Sequence, residues 1–378
     1  MVSIRRQLMG LGFVAASSVV AMGAAHAMNG QSNIKVDGGP LGELEMSGGM
    51  AGFGYALDNS SLSTNSGVLP AAMFLQLQKT TGIVQFNMRV GKHNGTDGIT
   101  LGIQPGGISF SGRKAGILDL GYVTIAPTGS PVTFSIGDLG GLEGYESGTS
   151  WNNVSLITTS NDWVETGNQY GVGATYSKGP ISATLQFGDN SETKVFNYLE
   201  GLGTYNFNAN NALNAYFAMS LGRTGIKASG GEGSQFTTNS TVYGGYYSWT
   251  QGNLNLIPEV QYVYNKVDHK IGIDKFTSNF GAVLLGDYTF ANTPYSVGGF
   301  VSWEKSIGSN NVWYIGENDE AISFALSPTW QYKYLYVRAN VGYIHLLNNN
   351  NGYGGSYGIG RDQKKSQLVG ALETGFVF

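Results

Sequence analysis

Between residues 138 and 168 the chain reads DLGGLEGYESGTSWNNVSLITTSNDWVETGN, with five carboxylates and no lysine or arginine. They are Asp138, Glu143, Glu146, Asp162 and Glu165. Carboxylates gathered without counter-charge concentrate cations and repel anions, whereas basic clusters do the reverse. Catalysis by a nucleophile would need a base beside a hydroxyl or thiol. Beyond the N-terminal stretch the histidines are His93, His269 and His345, and no motif sets a nucleophile beside any of them. Cysteine is absent, which excludes disulfides, thiol catalysis and a Cys-x-x-Cys-His haem site. No metal-ligand cluster, P-loop or dinucleotide-binding glycine pattern stands in a suitable context, so neither cofactor nor metal is expected.

The elements that would have to position these groups follow from a period of two. In IVQFNMRVG, Val84, Phe86, Met88 and Val90 alternate with Gln85, Asn87 and Arg89. In ISATLQFG, Ile181, Ala183, Leu185 and Phe187 alternate with Ser182, Thr184 and Gln186. Such alternation is the mark of a strand with one apolar face. It recurs over about 43–57, 71–79, 83–91, 117–126, 132–137, 169–178, 181–188, 195–207, 212–223, 238–250, 254–266, 275–290, 294–305, 320–332, 334–348 and 366–378, giving about sixteen strands. Short connections with turn residues, such as Gln251-Gly252-Asn253, alternate with longer polar ones, near 59–70, 92–116, 138–168, 224–237, 267–274, 306–319 and 349–365. On the polar parity lie the carboxylates Asp119, Glu200, Glu259, Asp287, Glu304 and Glu373, with Arg89 and Arg338 as the basic pair.

Charged residues make up 12% of the chain, against roughly 25% in ordinary soluble domains. A soluble sandwich or propeller would need a charged exterior that this sequence lacks. The first 27 residues have Arg5 and Arg6, an apolar core from Leu8 to Met22 and a closing Ala25-His26-Ala27, the pattern of a secretory leader. A single membrane anchor is the competing reading of that stretch. The formal charge of the whole chain is −4, and Arg5 and Arg6 fall in the leader, so the remainder is more acidic still, which argues against nucleic acid. Past the leader there is no run of about 18 apolar residues, so any crossing of a bilayer must be by strands. A sheet in lipid has to satisfy every backbone group and therefore has to close, apolar outside and wet inside. Aromatic residues such as Tyr170, Tyr176, Tyr243, Trp249, Tyr264, Trp303, Trp330 and Tyr332 lie near predicted strand ends, where interfacial girdles sit. The expected fold is all-β: a closed antiparallel transmembrane barrel of about sixteen strands, with short periplasmic turns and long extracellular loops.

The chain ends TGFVF, with Phe376 and Phe378 on the apolar parity. This resembles the C-terminal signal of outer-membrane barrels, which the barrel-assembly machinery reads. The segment GDLGGLEGYESGTSWNN, in which Gly141-Leu142-Glu143-Gly144-Tyr145-Glu146 follows a short strand, resembles the OmpL-like family of β-barrel porins. The 138–168 segment is the third long connection, and in position, length and acidity it resembles the third loop of sixteen-stranded porins, which folds inward and narrows the pore. It lacks the Pro-Glu-Phe-Gly-Gly element of the trimeric members, so a homo-oligomer stays open.

These resemblances imply a leader at 1–27, a periplasmic lead-in at 28–42 and a barrel at 43–378, with the carboxylates of 138–168 at a constriction. They imply an outer-membrane porin, not an enzyme, passing small hydrophilic solutes and ions with mild cation preference. Outer-membrane lipid, lipopolysaccharide and the assembly machinery are its expected partners. A substrate-specific channel, for which inward Tyr198, Tyr216 and Tyr246 would offer ring faces, and an adhesive or structural barrel are the alternatives.

Overall fold

The structure is a computed structural model that describes residues 33–58, 65–93, 99–100, 118–162, 165, 167–190, 193–229, 234–308, 318–348 and 364–378. The expected leader lies outside the described residues. Sixteen antiparallel strands form one closed sheet. They are β1 (Glu43–Leu57), β2 (Ser66–Lys79), β3 (Val84–His93), β4 (Leu118–Ile125), β5 (Val132–Gly140), β6 (Asn168–Lys178), β7 (Ile181–Asn190), β8 (Tyr198–Asn208), β9 (Asn211–Ser220), β10 (Thr241–Gln251), β11 (Leu254–Asn265), β12 (Thr277–Thr289), β13 (Tyr295–Ile307), β14 (Glu320–Tyr332), β15 (Leu335–Asn348) and β16 (Ser366–Val377). Each strand pairs with its sequence neighbours, and β16 pairs with β1 in nine registered positions, Val369 with Leu57 through Val377 with Gly49. Phe378 extends the seam: its N–H donates to Gly48 O at 2.8 Å and its carbonyl accepts from Gly48 N–H at 2.9 Å. No helix among the described residues is long and apolar enough to cross a membrane.

The alternation read from sequence is the alternation of faces. In β14, Ile322, Phe324, Leu326, Trp330 and Tyr332 point outward, while Ala321, Ser323, Ala325, Ser327, Thr329 and Gln331 point inward. Leu326 is 56% exposed and its neighbour Ser327 is fully buried. Small hydroxyl and amide pairs hydrogen-bond across strands on the inner face: Thr124 with Ser135, Thr175 with Thr184, Ser302 with Ser323. These pairs satisfy the polar face without charge, which is why so few ionised residues suffice. Outward rings stack near strand ends, as with Trp330 and Tyr332, Tyr243 and Tyr264, and Phe376 and Phe378.

Three differences from the sequence reading change how residues are assigned to elements. Strand β2 begins at Ser66, five residues before the predicted start, because Pro70 is carried inside the strand. The register shifts opposite it, between Ala51 and Gly52, and such an irregularity is where a sheet accepts a residue with no N–H. Strand β5 runs to Gly140, so Asp138 is a wall residue and the connecting loop starts at Gly141. In the expected lead-in, Ile34–Asp37 forms a short strand against Glu43–Met46 of β1, on the edge that β16 leaves free beyond Gly48.

Candidate functional site

The described residues of the loop between Gly141 and Gly167 pack against the inner face of the barrel. Its apolar middle holds it there. Trp151 meets Phe74 of β2 edge-on at 6.1 Å between centroids. Val154, Leu156 and Ile157 are buried in one cluster with Phe53, Tyr55, Tyr336 and Ile344 from the wall. Two wall glycines make the approach close enough. A side chain at Gly298 would collide with the Val154 carbonyl, and one at Gly281 with the Asn161 amide.

Polar contacts then fix the loop's register. Asn153 bridges back to the amide and carbonyl of Ser147 at 2.8 Å each, which shapes the bend around the Ser150–Asn152 turn. Arg338 of β15 reaches the loop from the wall. Its Nη1 donates to Asn153 O and its Nη2 to Ser150 O, both at 2.8 Å, while its Nε donates to Glu373 of β16 at 2.7 Å. The other Glu373 oxygen accepts from Ser150 Oγ at 2.6 Å and from Tyr336 OH at 2.9 Å. Arg338 and Glu373 are both fully buried. Further along, Asn340 Oδ1 accepts from Leu156 N–H, and Ser327 Oγ lies 2.7 Å from both Asn340 Oδ1 and Ser155 Oγ. Ile157 and Thr158 pair in parallel with Ile99 and Thr100, so these two residues between β3 and β4 lie beside this loop.

The carboxylates lie on the part of the loop facing β8 to β12. Glu143 accepts from Tyr198 OH at 3.2 Å. Glu146 accepts from the amide and hydroxyl of Thr159, so it ties the loop's two arms together. Glu165 accepts from Gln261 of β11 at 3.0 Å. Glu259 of β11 accepts from Tyr216 OH at 2.7 Å, and Tyr145 packs edge-on against Tyr246 at 5.4 Å. The inward tyrosines are therefore engaged with carboxylates and with each other. Burial is the main cause that raises the Glu146 carboxyl well above its ordinary value, with the charge of Asp162 adding to it. Burial likewise pushes Asp162 up to about 7. Glu165 is raised by burial and then by Glu259, Asp162, Glu143 and Glu146, all of them acids.

The remaining wall charges are placed as follows. Arg89 pairs with Asp119 at 2.5 Å and lies over the Phe74 ring. Asp138 accepts from Asn168 at 3.1 Å, and Asp287 accepts from Asn255 at 3.1 Å. Glu200 and Glu304 are buried on the inner face. His269 pairs with Asp274 on an exposed connection, and His345 stacks on Tyr343. Both wall arginines are thus neutralised by a carboxylate, while the acids of the loop's far arm meet other acids. Sequence parity marked Arg338 and Glu373 as inward, but nothing local marks Ser150, Asn153 and Asn340 as their loop-side complement.

Comparison with known proteins gives a consistent picture. A family profile described as "Putative beta-barrel porin-2, OmpL-like" matches residues 50–378. No curated protein matches the chain in sequence. Among solved structures, the anion-selective porin from Comamonas acidovorans is similar at TM-score 0.56 and 10% identity, covering 89% of this chain and 99% of that one. In vitro folded OmpT, an outer-membrane protein of Vibrio cholerae, is similar at TM-score 0.57 and 11% identity, covering 92% and 100%. The outer-membrane channel DcaP of Acinetobacter baumannii is similar at TM-score 0.56 and 9% identity, covering 89% and 97%. At such identities the likeness is one of fold.

Proposed function

From the premise that the chain belongs to the OmpL-like β-barrel porin family, we propose that it is a passive outer-membrane channel for small hydrophilic solutes and ions, with a mild preference for cations. The observation that carries the preference is the company kept by the loop acids. Glu146 and Glu165 feel other carboxylates, whereas Arg338 and Arg89, the basic residues of the inner wall, are each compensated by an acid of their own. A low-dielectric surround strengthens the field of such a cluster, and acid-lined constrictions favour cations. The anion selectivity stated for the Comamonas porin does not pass to this chain with the fold, because selectivity rests on these side chains.

In this reading the 141–167 loop is the constriction, its apolar middle anchors it to the wall, and Glu143 and Glu146 contribute to the field at the narrowing. Residues 1–27 direct export, and lipopolysaccharide and lipid cover the outward rings. The test is the reversal potential of purified protein in planar bilayers under a salt gradient. Replacing Glu143 and Glu146 together by Gln is expected to lower the cation-to-anion permeability ratio with little loss of folded barrel. Unchanged reversal potential and conductance in that variant would refute the constriction and favour the adhesive reading.

A further inference from the structure

One buried carboxylate of the wall faces the loop and takes no part in the contacts described above. Glu304 on β13 is 1% exposed, and among the described residues neither of its oxygens has a hydrogen-bond partner. Its cross-strand neighbour on β12 is Gly281, whose missing side chain makes room for Asn161 of the loop. Asn161 is 1% exposed, and both its amide oxygen and its amide nitrogen are unpartnered. The preceding residue, Ser160, directs its hydroxyl toward Glu304 without reaching hydrogen-bond geometry. The same wall carries two more unpartnered buried oxygens toward the long-loop end, Asn265 Oδ1 on β11 and Thr277 Oγ1 on β12, which are cross-strand partners.

An ionised carboxylate buried without counter-charge is costly, and so is an orphaned amide. Both costs fall together if a cation sits between them. We propose that Glu304, Ser160 and Asn161 form a cation site at the seam between loop and wall. Its donors are the two carboxylate oxygens, a hydroxyl and an amide oxygen. That set is hard and all-oxygen, which suits Ca2+ and leaves further positions of its coordination shell to water. One carboxylate gives modest affinity, with Kd on the order of 10⁻⁴ to 10⁻³ M. The ion would rivet residues 160–161 to β12 and β13, two strands along the wall from the Arg338 clamp on β15. Asn265 and Thr277 would line the approach from the long-loop end. The proposal rests on the channel reading only in that water and ions must reach the inner wall.

The experiment is equilibrium dialysis of chelator-treated, folded protein in detergent against radioactive Ca2+. About one saturable equivalent is expected. Glu304→Gln is expected to abolish it, and Asn161→Ala, a loop change that leaves the wall intact, to weaken it about tenfold. Glu143→Gln with Glu146→Gln is expected to leave it in place, which separates this site from the acid cluster. Heat-modifiable migration checks folding, and if Glu304→Gln does not fold, Asn161→Ala decides. No saturable binding, or equal binding in wild type and in Asn161→Ala, overturns the proposal and assigns the orphaned oxygens to water. The same preparations in planar bilayers test the channel separately: conduction without binding sinks only the site, and binding without conduction sinks only the channel.

Discussion

Removing the Arg338 guanidinium should release the loop without dismantling the barrel. In Arg338→Ala the sixteen-strand ladder keeps its backbone bonds, because the side chain contributes none of them. What is lost is one half of a fully buried ion pair and the donors to Ser150 O and Asn153 O. Breaking one side of a buried pair costs about 3–5 kcal/mol, and each stranded carbonyl adds about 1–3 kcal/mol unless water replaces the donor. The inner face of a porin-like barrel is polar, so water is expected to recover the carbonyl part. That leaves about 3 kcal/mol or more against the docked loop, which is a factor of at least about 100 in its opening equilibrium. Hydrogen exchange of the amides between Ser147 and Ile157 reads that equilibrium directly, and their protection should fall by about two decades while strand amides stay protected. Glu373→Gln placed on top of Arg338→Ala should restore part of the protection, because the stranded charge is then gone. Equal exchange of loop amides in wild type and Arg338→Ala would show that the apolar anchors alone hold the loop and would refute the clamp.

The loop acids predict a pH dependence of two opposite signs. Burial raises Glu146, Asp162 and Glu165, so the docked loop retains protons that a released loop would give up. Docking is therefore strongest at acid pH and weakens as pH rises from about 4 through about 7, where Asp162 loses its proton. Cation preference grows over the same interval, and reversal potentials at pH 5 and pH 9 that coincide would contradict both statements. Deleting Phe378 removes two seam hydrogen bonds with Gly48 and the ring stacked on Phe376, and it should reduce heat-modifiable barrel while leaving export across the inner membrane intact. Tags within 224–237 should be cut by protease on intact cells and tags at Gln251-Gly252-Asn253 protected; the reverse pattern would invert the orientation.

The wall was legible because its signal is local. Alternation of period two, turn residues and the aromatic ending each sit within about a dozen residues, and they give the strands, their faces and their order. Pro70 misled because proline is an ordinary stop, and only its partner strand shows the irregularity that accommodates it. The carboxylate-rich segment was visible, and its inward packing could be expected by resemblance. Its contacts could not be read, since Arg338 meets residues 185 and 188 positions away and Ile99 meets Ile157 through a parallel pairing. No periodicity connects such residues. Asp138 was assigned to the loop because the predicted strand stopped at Gly137, yet the strand continues to Gly140.

The seam between β1 and β16 also dictates when the molecule can exist at all. Its nine pairs join residues about as far apart as the chain allows, so they raise the contact order and come last in any folding sequence. Closing so long a loop, compared with a hairpin of about ten residues, adds only about 3 kcal/mol of chain entropy, because that cost grows with the logarithm of length. The equilibrium penalty is small, but the waiting time is not. Until the final twelve-residue strand has been delivered, β1 presents an unpaired edge that any other strand could template. Until then the chain must be kept from pairing that edge with the wrong strand. Because the sixteenth strand closes on the first, the barrel cannot be completed until all sixteen strands have been made.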